Sequence, residues 1–140
     1  MKKLLLSLCL LSSAALADYR SVNDAPVSLD APGWQHLVFI NIWDSWAGAG
    51  PEEMVSKLPA SFSARASSVW IALDMNVTPA YVRDFQTSFP ASKPLLIDHK
   101  YELMRRYKLW QTPAHVLLKD GKVQFSGNSD AFQHFVDQKF

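Results

Sequence analysis

The sequence predicts a single α/β domain with a mixed central sheet and helices on both of its faces. Two nearly unbroken apolar runs, Leu37-Val-Phe-Ile-Asn-Ile-Trp43 and Val69-Trp-Ile-Ala-Leu73, suit strands buried on both faces of a largely parallel sheet. Helical stripes follow each run, at the lengths that crossover connections need. Near the end, Asp120-Gly121 separates two strand-like runs. This is a strong hairpin signal and adds an antiparallel pair to the sheet.

Lys2 and Lys3 precede an apolar run from Leu4 to Leu11, and small residues then lead to Ala15-Leu16-Ala17. That is the pattern of a secretory signal peptide with an Ala-x-Ala cleavage site. It predicts residues 1–17 as signal and 18–140 as the mature domain, beginning at Asp18. The apolar core falls well short of the roughly 20 residues that span a bilayer, so no membrane span is expected after cleavage. A short lead-in strand is expected near Val27 to Leu29, followed by the first core strand over Leu37 to Trp43.

Pro51-Glu52-Glu53 then opens a helix with Met54, Val55, Leu58 and Phe62 on one stripe, which Pro59 kinks or ends. After the second core strand, Thr78-Pro79 caps a helix whose inner stripe is Val82, Phe85 and Phe89. Pro94 to Asp98 reads as a strand and Tyr101 to Tyr107 as a helix burying Leu103, Met104 and Tyr107. The hairpin strands are Ala114–Lys119 and Lys122–Phe125. A last helix carries Phe132, Phe135, Val136 and Phe140, giving the order β-α-β-α-β-α-β-β-α.

The single cysteine, Cys9, lies within the signal segment, so the mature chain is expected to hold no thiol. Lipid attachment at Cys9 is the alternative, but a bulky Leu8 precedes it where such signals carry a small residue. Loss of Lys2 and Lys3 leaves 12 basic against 13 acidic residues, a formal charge of −1. Near-neutral charge argues against electrostatic capture of nucleic acid or anionic membrane. His36, His99, His115 and His134 show no ligand spacing, so no metal is expected, and no cofactor motif is present. His115 reads as a strand residue with a satisfied ring. Met54, Met75 and Met104 read as core, and Asp74, Asp98 and Asp120 as strand ends or turn openers.

Three segments together resemble the thioredoxin superfamily, and most of all its exported TlpA/ResA-type branch, over roughly residues 35 to 138. In "LVFINIWDSWAGAGPEEM", Asn41, Trp43, Trp46, Gly48, Glu52, Glu53 and Met54 match the family pattern around Trp-Cys-x-x-Cys. Ala47 and Gly50 stand at the two cysteine positions, with Gly48 and Ala49 between them. Ala49 replaces the family proline, and Val55 the proline that often follows the methionine. "ALDMNVTPAYVRDFQTSF" with "PLLIDHKYELMRRYKL" is similar to the extra helix and strand of that branch. "WQTPAHVLLKDGKV" resembles the Thr-Pro before the hairpin, which implies a thioredoxin-like fold with Pro113 in the cis form.

Thiol–disulfide exchange needs an attacking thiolate and a second thiol to resolve the mixed disulfide. Ala47 and Gly50 are expected to keep the family's helix start but place no nucleophile on it, and Ser45 cannot cycle between disulfide states. Thiol catalysis by the mature chain is therefore not expected. Glu53, which matches an acidic residue aiding proton transfer in the branch, is left as helix-start charge. The resemblance implies a peptide groove in which Trp46, Ala47, Gly48 and Ala49 lie beside Thr112, Pro113 and Ala114. Free N–H groups near Gly48 to Glu52 would suit an anion, opposed by Glu52 and Glu53. Trp46 as core packing and Pro113 as a fixed turn stay open, Trp110 would extend the patch, and Trp34, Trp43 and Trp70 read as core or strand residues.

The leading function from sequence is a periplasmic or secreted, redox-inactive protein that binds another exported polypeptide, as an adaptor, chaperone-like module or complex subunit. The alternatives are an auxiliary of a thiol-disulfide pathway acting through a cysteine-bearing partner, and a purely structural envelope component. Mass spectrometry of the exported chain is expected to give Asp18 as its first residue; a lipid-modified Cys9 would refute this.

Overall fold

The computed structural model describes residues 19–140. The expected signal segment and Cys9 lie outside them. Tyr19–Arg20 (β1) and Pro26–Val27 (β2) pair as a small antiparallel ribbon. The chain continues through Trp34–Ile40 (β3), Ile42–Trp46 (α1), Glu52–Ser56 (α2), Ala60–Ser63 (α3) and Ala66–Leu73 (β4). Pro79–Ser88 (α4), Leu95–Asp98 (β5), Glu102–Arg106 (α5), Ala114–Lys119 (β6), Lys122–Gly127 (β7) and Ser129–Lys139 (α6) complete it. Five strands form one sheet in the order β5-β4-β3-β6-β7. The β5-β4-β3 side is parallel, and β6 runs antiparallel to both β3 and β7. This is the mixed α/β sheet the sequence predicts.

Side chains alternate across the sheet as strand geometry requires. Val38 and Ile40 share one face with Trp70, Ala72 and Leu95, packed under Val82 and Phe85 of α4. Beside them Leu117 lies under Phe62, Phe132 and Val136 of α3 and α6. Leu37 and Phe39 share the other face with Val69, Ile71, Leu96 and Val116, covered by Leu103 and Met104 of α5 and by Val27 and Leu29. Each such side chain contributes about 1.5–3 kcal/mol when fully buried.

The first core strand is shorter than its apolar run. β3 stops at Ile40 because Asn41 is an N-cap: its side-chain oxygen accepts the Trp43 N–H at 3.1 Å, and Ile42 and Trp43 become α1. Trp43 is therefore a half-exposed helix residue and not core. The predicted caps and breaks elsewhere hold. Thr78 accepts the Tyr81 N–H at 3.3 Å to open α4, and Pro59 separates α2 from α3. Asp120 and Gly121 both take positive φ, 51° and 77°, as a two-residue hairpin turn demands.

The third predicted helix is also shorter, beginning at Glu102, because Lys100 and Tyr101 sit in left-handed conformations. Asp98 is more than a strand end. Its buried carboxylate accepts the Leu103 N–H at 2.7 Å and the Met104 N–H at 3.0 Å, satisfying donors at the α5 start. Thr112-Pro113 is cis, as the resemblance implies, and Lys93-Pro94 is cis as well.

His36 of β3 and His115 of β6 are fully buried and stack on Phe132 with ring centroids at 4.3 and 4.9 Å. His36 Nε2 lies 2.9 Å from His115 Nδ1, and His115 Nε2 lies 2.8 Å from Ser129 Oγ. His36 Nδ1 has no partner among the described residues. With both rings neutral, the favourable arrangement has His36 Nε2–H donating to His115 and His115 Nε2–H donating to Ser129. This leaves a bare nitrogen on His36 instead of a buried N–H without an acceptor.

Burial holds His36 well below its usual value near 6.5, with the adjacent His115 adding to the effect, and burial pushes His115 down to about 4. In the unfolded chain both rings titrate near their ordinary value, about 6.5. Below it the unfolded chain binds protons that the folded chain refuses, so this contribution to stability is complete above about 6.5 and lost as pH falls toward about 4. Denaturant unfolding across that window is expected to show the loss, and the double substitution His36→Leu with His115→Leu to flatten it. His115→Leu alone is expected to cost about 1–3 kcal/mol by stranding the His36 ring. A wild-type stability that is flat across the window would refute the assignment.

Candidate functional site

The chain leaves β3 through α1, a helix of five residues, and the four positions that match the family's redox turn lie at its C-terminal end. Ala47 is the C-cap, and Gly48 follows with φ +83°. The Gly48 N–H donates to Ser45 O at 3.0 Å and the Ala49 N–H to Asp44 O at 2.8 Å. These two bonds, with a left-handed glycine, make a Schellman cap, which ties up the last carbonyls of the helix. The Ala47 N–H is likewise used, on Trp43 O at 3.1 Å.

This corrects the expected helix start. The degenerate turn closes one helix instead of opening another, and α2 begins only at Glu52, after Pro51, without a side-chain cap. The N–H groups of Ala47, Gly48 and Ala49 are spent inside the protein and are not free to receive an anion. Glu53 is solvent-exposed beside Lys57, with Oε1 2.6 Å from Nζ. The hydrogen bond to Lys57 and its charge lower the Glu53 carboxyl below its usual range.

Gly50 is confined. A Cβ built there would stand 2.9 Å from Ser45 Cα and collide with Ser45 Oγ and Glu52 Oε2. The second cysteine position thus has no room for any side chain without movement of the α1 backbone. Ala47, by contrast, is exposed.

Around this turn the surface is aromatic. Trp46 is 42% exposed, with its ring 5.3 Å from Trp43 and edge-on to Phe85 at 5.7 Å. Trp43 meets Tyr81 at 5.8 Å and donates its indole N–H to Met75 O at 3.0 Å. Met75, read from sequence as core, is instead 40% exposed, because the chain has already left β4 at Leu73. Met54 and Met104 do pack against the core. Trp70 is buried in β4, and Trp34 packs against Phe140 at the far end of β3.

The segment before β6 lies at the same end of the sheet. Phe39 pairs with Ala114, so the residues just beyond, Asn41 after β3 and Thr112 before β6, face a common cleft. That cleft holds about 570 Å³ and is walled by Asn41, Met75, Tyr101, Arg105, Trp110 and Thr112. Thr112 and Pro113 are half-buried and Ala114 is buried. Trp46 and the turn Ala47 to Gly50 do not line the cleft. They adjoin it through Trp43 and Met75. Tyr101 and Arg105 were not singled out in the sequence, since only the fold brings α5 to this edge. No group of three His, Cys, Asp or Glu side chains comes together among the described residues.

A five-stranded mixed sheet in the order β5-β4-β3-β6-β7 and a cis-proline at the head of β6 define a thioredoxin-like fold. Within that class, the likeness in sequence is to ResA-type thiol-disulfide oxidoreductases. The chain is 30% identical over 89 residues to "Thiol-disulfide oxidoreductase ResA" of Bacillus thuringiensis subsp. konkukian, covering 61% of this chain and 51% of that protein. The ResA of Bacillus anthracis is 29% identical over the same length. The chain thus spans about half the length of the curated relatives it matches. No family model matches it.

Among solved structures, StoA from Bacillus subtilis superposes with a TM-score of 0.62 at 18% identity, covering 87% of this chain and 98% of StoA. A secreted Mycobacterium tuberculosis disulfide oxidoreductase homologous to E. coli DsbE gives 0.64 at 17% identity, covering 85% and 92%. The exposed lipoprotein thioredoxin Etrx1 of Streptococcus pneumoniae gives 0.60 at 16%, covering 85% and 96%. These similarities establish the fold. Ala47 and Gly50 stand where the resemblance places the cysteines.

Gly50→Cys is expected to lower stability by about 1–3 kcal/mol through overpacking, and Ala47→Cys to change it by less than about 0.5 kcal/mol. Chemical denaturation of the two variants checks this, and equal stabilities would show that the turn accommodates both side chains.

Proposed function

We propose that this chain is an exported, redox-inactive thioredoxin-fold protein that binds another polypeptide as an adaptor, chaperone-like module or complex subunit. Residues 18–140 form the working domain after loss of the signal at 1–17. The observation that carries the proposal is a cluster of half-exposed aromatics beside a turn that has exchanged its sulfurs for a helix cap. Trp43, Trp46 and Tyr81 offer broad, rigid contact area of the kind that anchors protein interfaces. The neighbouring cleft of about 570 Å³ offers a concave receptor for several side chains. Residues 19–140 hold no cysteine, so no disulfide can form or be exchanged there. Export is supported by the signal pattern and by structural relatives described as secreted or as an exposed lipoprotein. No helix among the described residues is long and apolar enough to cross a membrane.

The likeness to ResA supports a second reading, an auxiliary of a thiol-disulfide pathway that acts through a cysteine-bearing partner. The two separate when the captured partner is added to the purified exported chain: the leading reading expects the chain to leave thiol-dependent insulin reduction by that partner unchanged, and the second expects the chain to raise it. For the leading reading, capture of envelope polypeptides is compared between wild type, Trp46→Ala and Thr112→Arg. Loss of a central aromatic anchor costs about 2 kcal/mol, about thirtyfold in affinity, and an arginine at 112 is expected to obstruct the cleft. Undiminished capture by both variants would refute the site.

A further inference from the structure

Two depressions meet at Trp110. The cleft of about 570 Å³ and a second of about 350 Å³ share Leu109, Trp110 and Gln111. Trp110 is 90% exposed and stands between them. Each depression has a single charged lining residue, and both of these are cations: Arg105 in the first, Lys108 in the second. No aspartate or glutamate lines either one. Both cations are solvent-exposed, and neither forms an ion pair among the described residues. They belong to a basic stretch in which Lys100, Arg105, Arg106 and Lys108 are offset only by Glu102. The nearby Asp74 is turned toward His99, at 3.4 Å.

The backbone that borders the depressions is unoccupied. Trp110, Gln111 and Thr112 make no backbone–backbone hydrogen bond among the described residues, so an extended segment can pair there. A local cation excess on a chain of near-neutral total charge is complementary to a local anion excess on its partner. At the exposed rim each carboxylate–cation pair is individually weak and screened by salt, so the apolar contact beside Trp110 supplies the affinity and the charges select the partner. Two adjoining concave recesses favour a polypeptide with side chains to seat over a flat anionic bilayer.

We propose that the partner segment held at this site is acidic: an extended polypeptide that seats an apolar side chain beside Trp110 and sets aspartate or glutamate carboxylates against Arg105 and Lys108. This rests on the peptide-binding reading above and specifies the chemistry of its partner.

The test uses a displayed random-peptide library selected on the exported chain, with the best binder then synthesised. The expected result is enrichment of peptides carrying an apolar residue flanked by Asp or Glu. Binding of the synthetic peptide should weaken about tenfold in Arg105→Glu with Lys108→Glu, fall with added salt, and recover when its acids are exchanged for lysines. Enriched peptides that are neutral or basic, or acidic peptides indifferent to the charge reversal, would overturn the proposal. So would charge-dependent binding to phosphatidylglycerol vesicles without acid enrichment among the peptides, which would point to a membrane instead. Binding that is lost in Trp46→Ala but untouched by the reversal removes the acidic partner and leaves the peptide site standing. Absence of any enriched peptide removes both.

Discussion

β3 is bonded on both edges and buried on both faces from Gln35 to Ile40, so the chain can change direction only where it leaves the sheet. Asn41 fixes that point. By accepting the Trp43 N–H it ends the strand and starts α1, which carries Trp43 and Trp46 onto the surface instead of into the core. Because β6 pairs with β3 up to Phe39 and Ala114, the same exit sets Thr112 and cis-Pro113 beside Asn41. The strand exit and the β3–β6 register together bring Asn41 and Thr112 to the cleft. In open α/β sheets the carboxyl ends of parallel strands are where ligands gather, and here β3 and β4 end together at that rim.

The replacement of sulfur has a backbone consequence as well as a chemical one. A reactive cysteine at a helix start draws on unpaired N–H groups, which favour its thiolate. In this chain the corresponding N–H groups of Ala47, Gly48 and Ala49 are consumed by α1, and Gly50 is pressed against Ser45. Those three N–H groups are therefore not available to a side chain at position 47. What the rearrangement provides is rigidity: a left-handed glycine and two capping bonds hold α1, and with it the aromatic pair, in one orientation.

Much of the fold was legible because its signals are local. Continuous apolar runs mark β3 and β4, Thr78-Pro79 marks the start of α4, and Asp120-Gly121 marks the hairpin. The boundary at Ile40 was not, since Asn-Ile-Trp continues the apolar run and only the cap bond shows that Asn41 stops it. Gly48 was a readable helix stop in principle, but the likeness to a redox turn suggested a helix start there. The hydrogen-bonded pair His36 and His115 was hidden because its members are 79 positions apart and meet only through strand register. The cleft was hidden for the same reason: Asn41, Met75, Tyr101 and Thr112 come from four segments that the sheet gathers at one end.

Exposed aromatics cost little to order when the folded chain already holds them, and here two kinds coexist. Trp43 and Trp46 are braced: the Trp43 indole is bonded to Met75 O, and the rings lean on Tyr81 and Phe85, so few rotamers remain to be lost on association. Trp110 is in none of the aromatic pairs among the described residues and is open on nearly all sides. A braced pair presents a fixed surface, while the Trp110 indole stands exposed between two recesses. In the proposed peptide-binding role the braced cluster favours orientation and specificity, and Trp110 contributes apolar area that is removed from water only when the partner is in place.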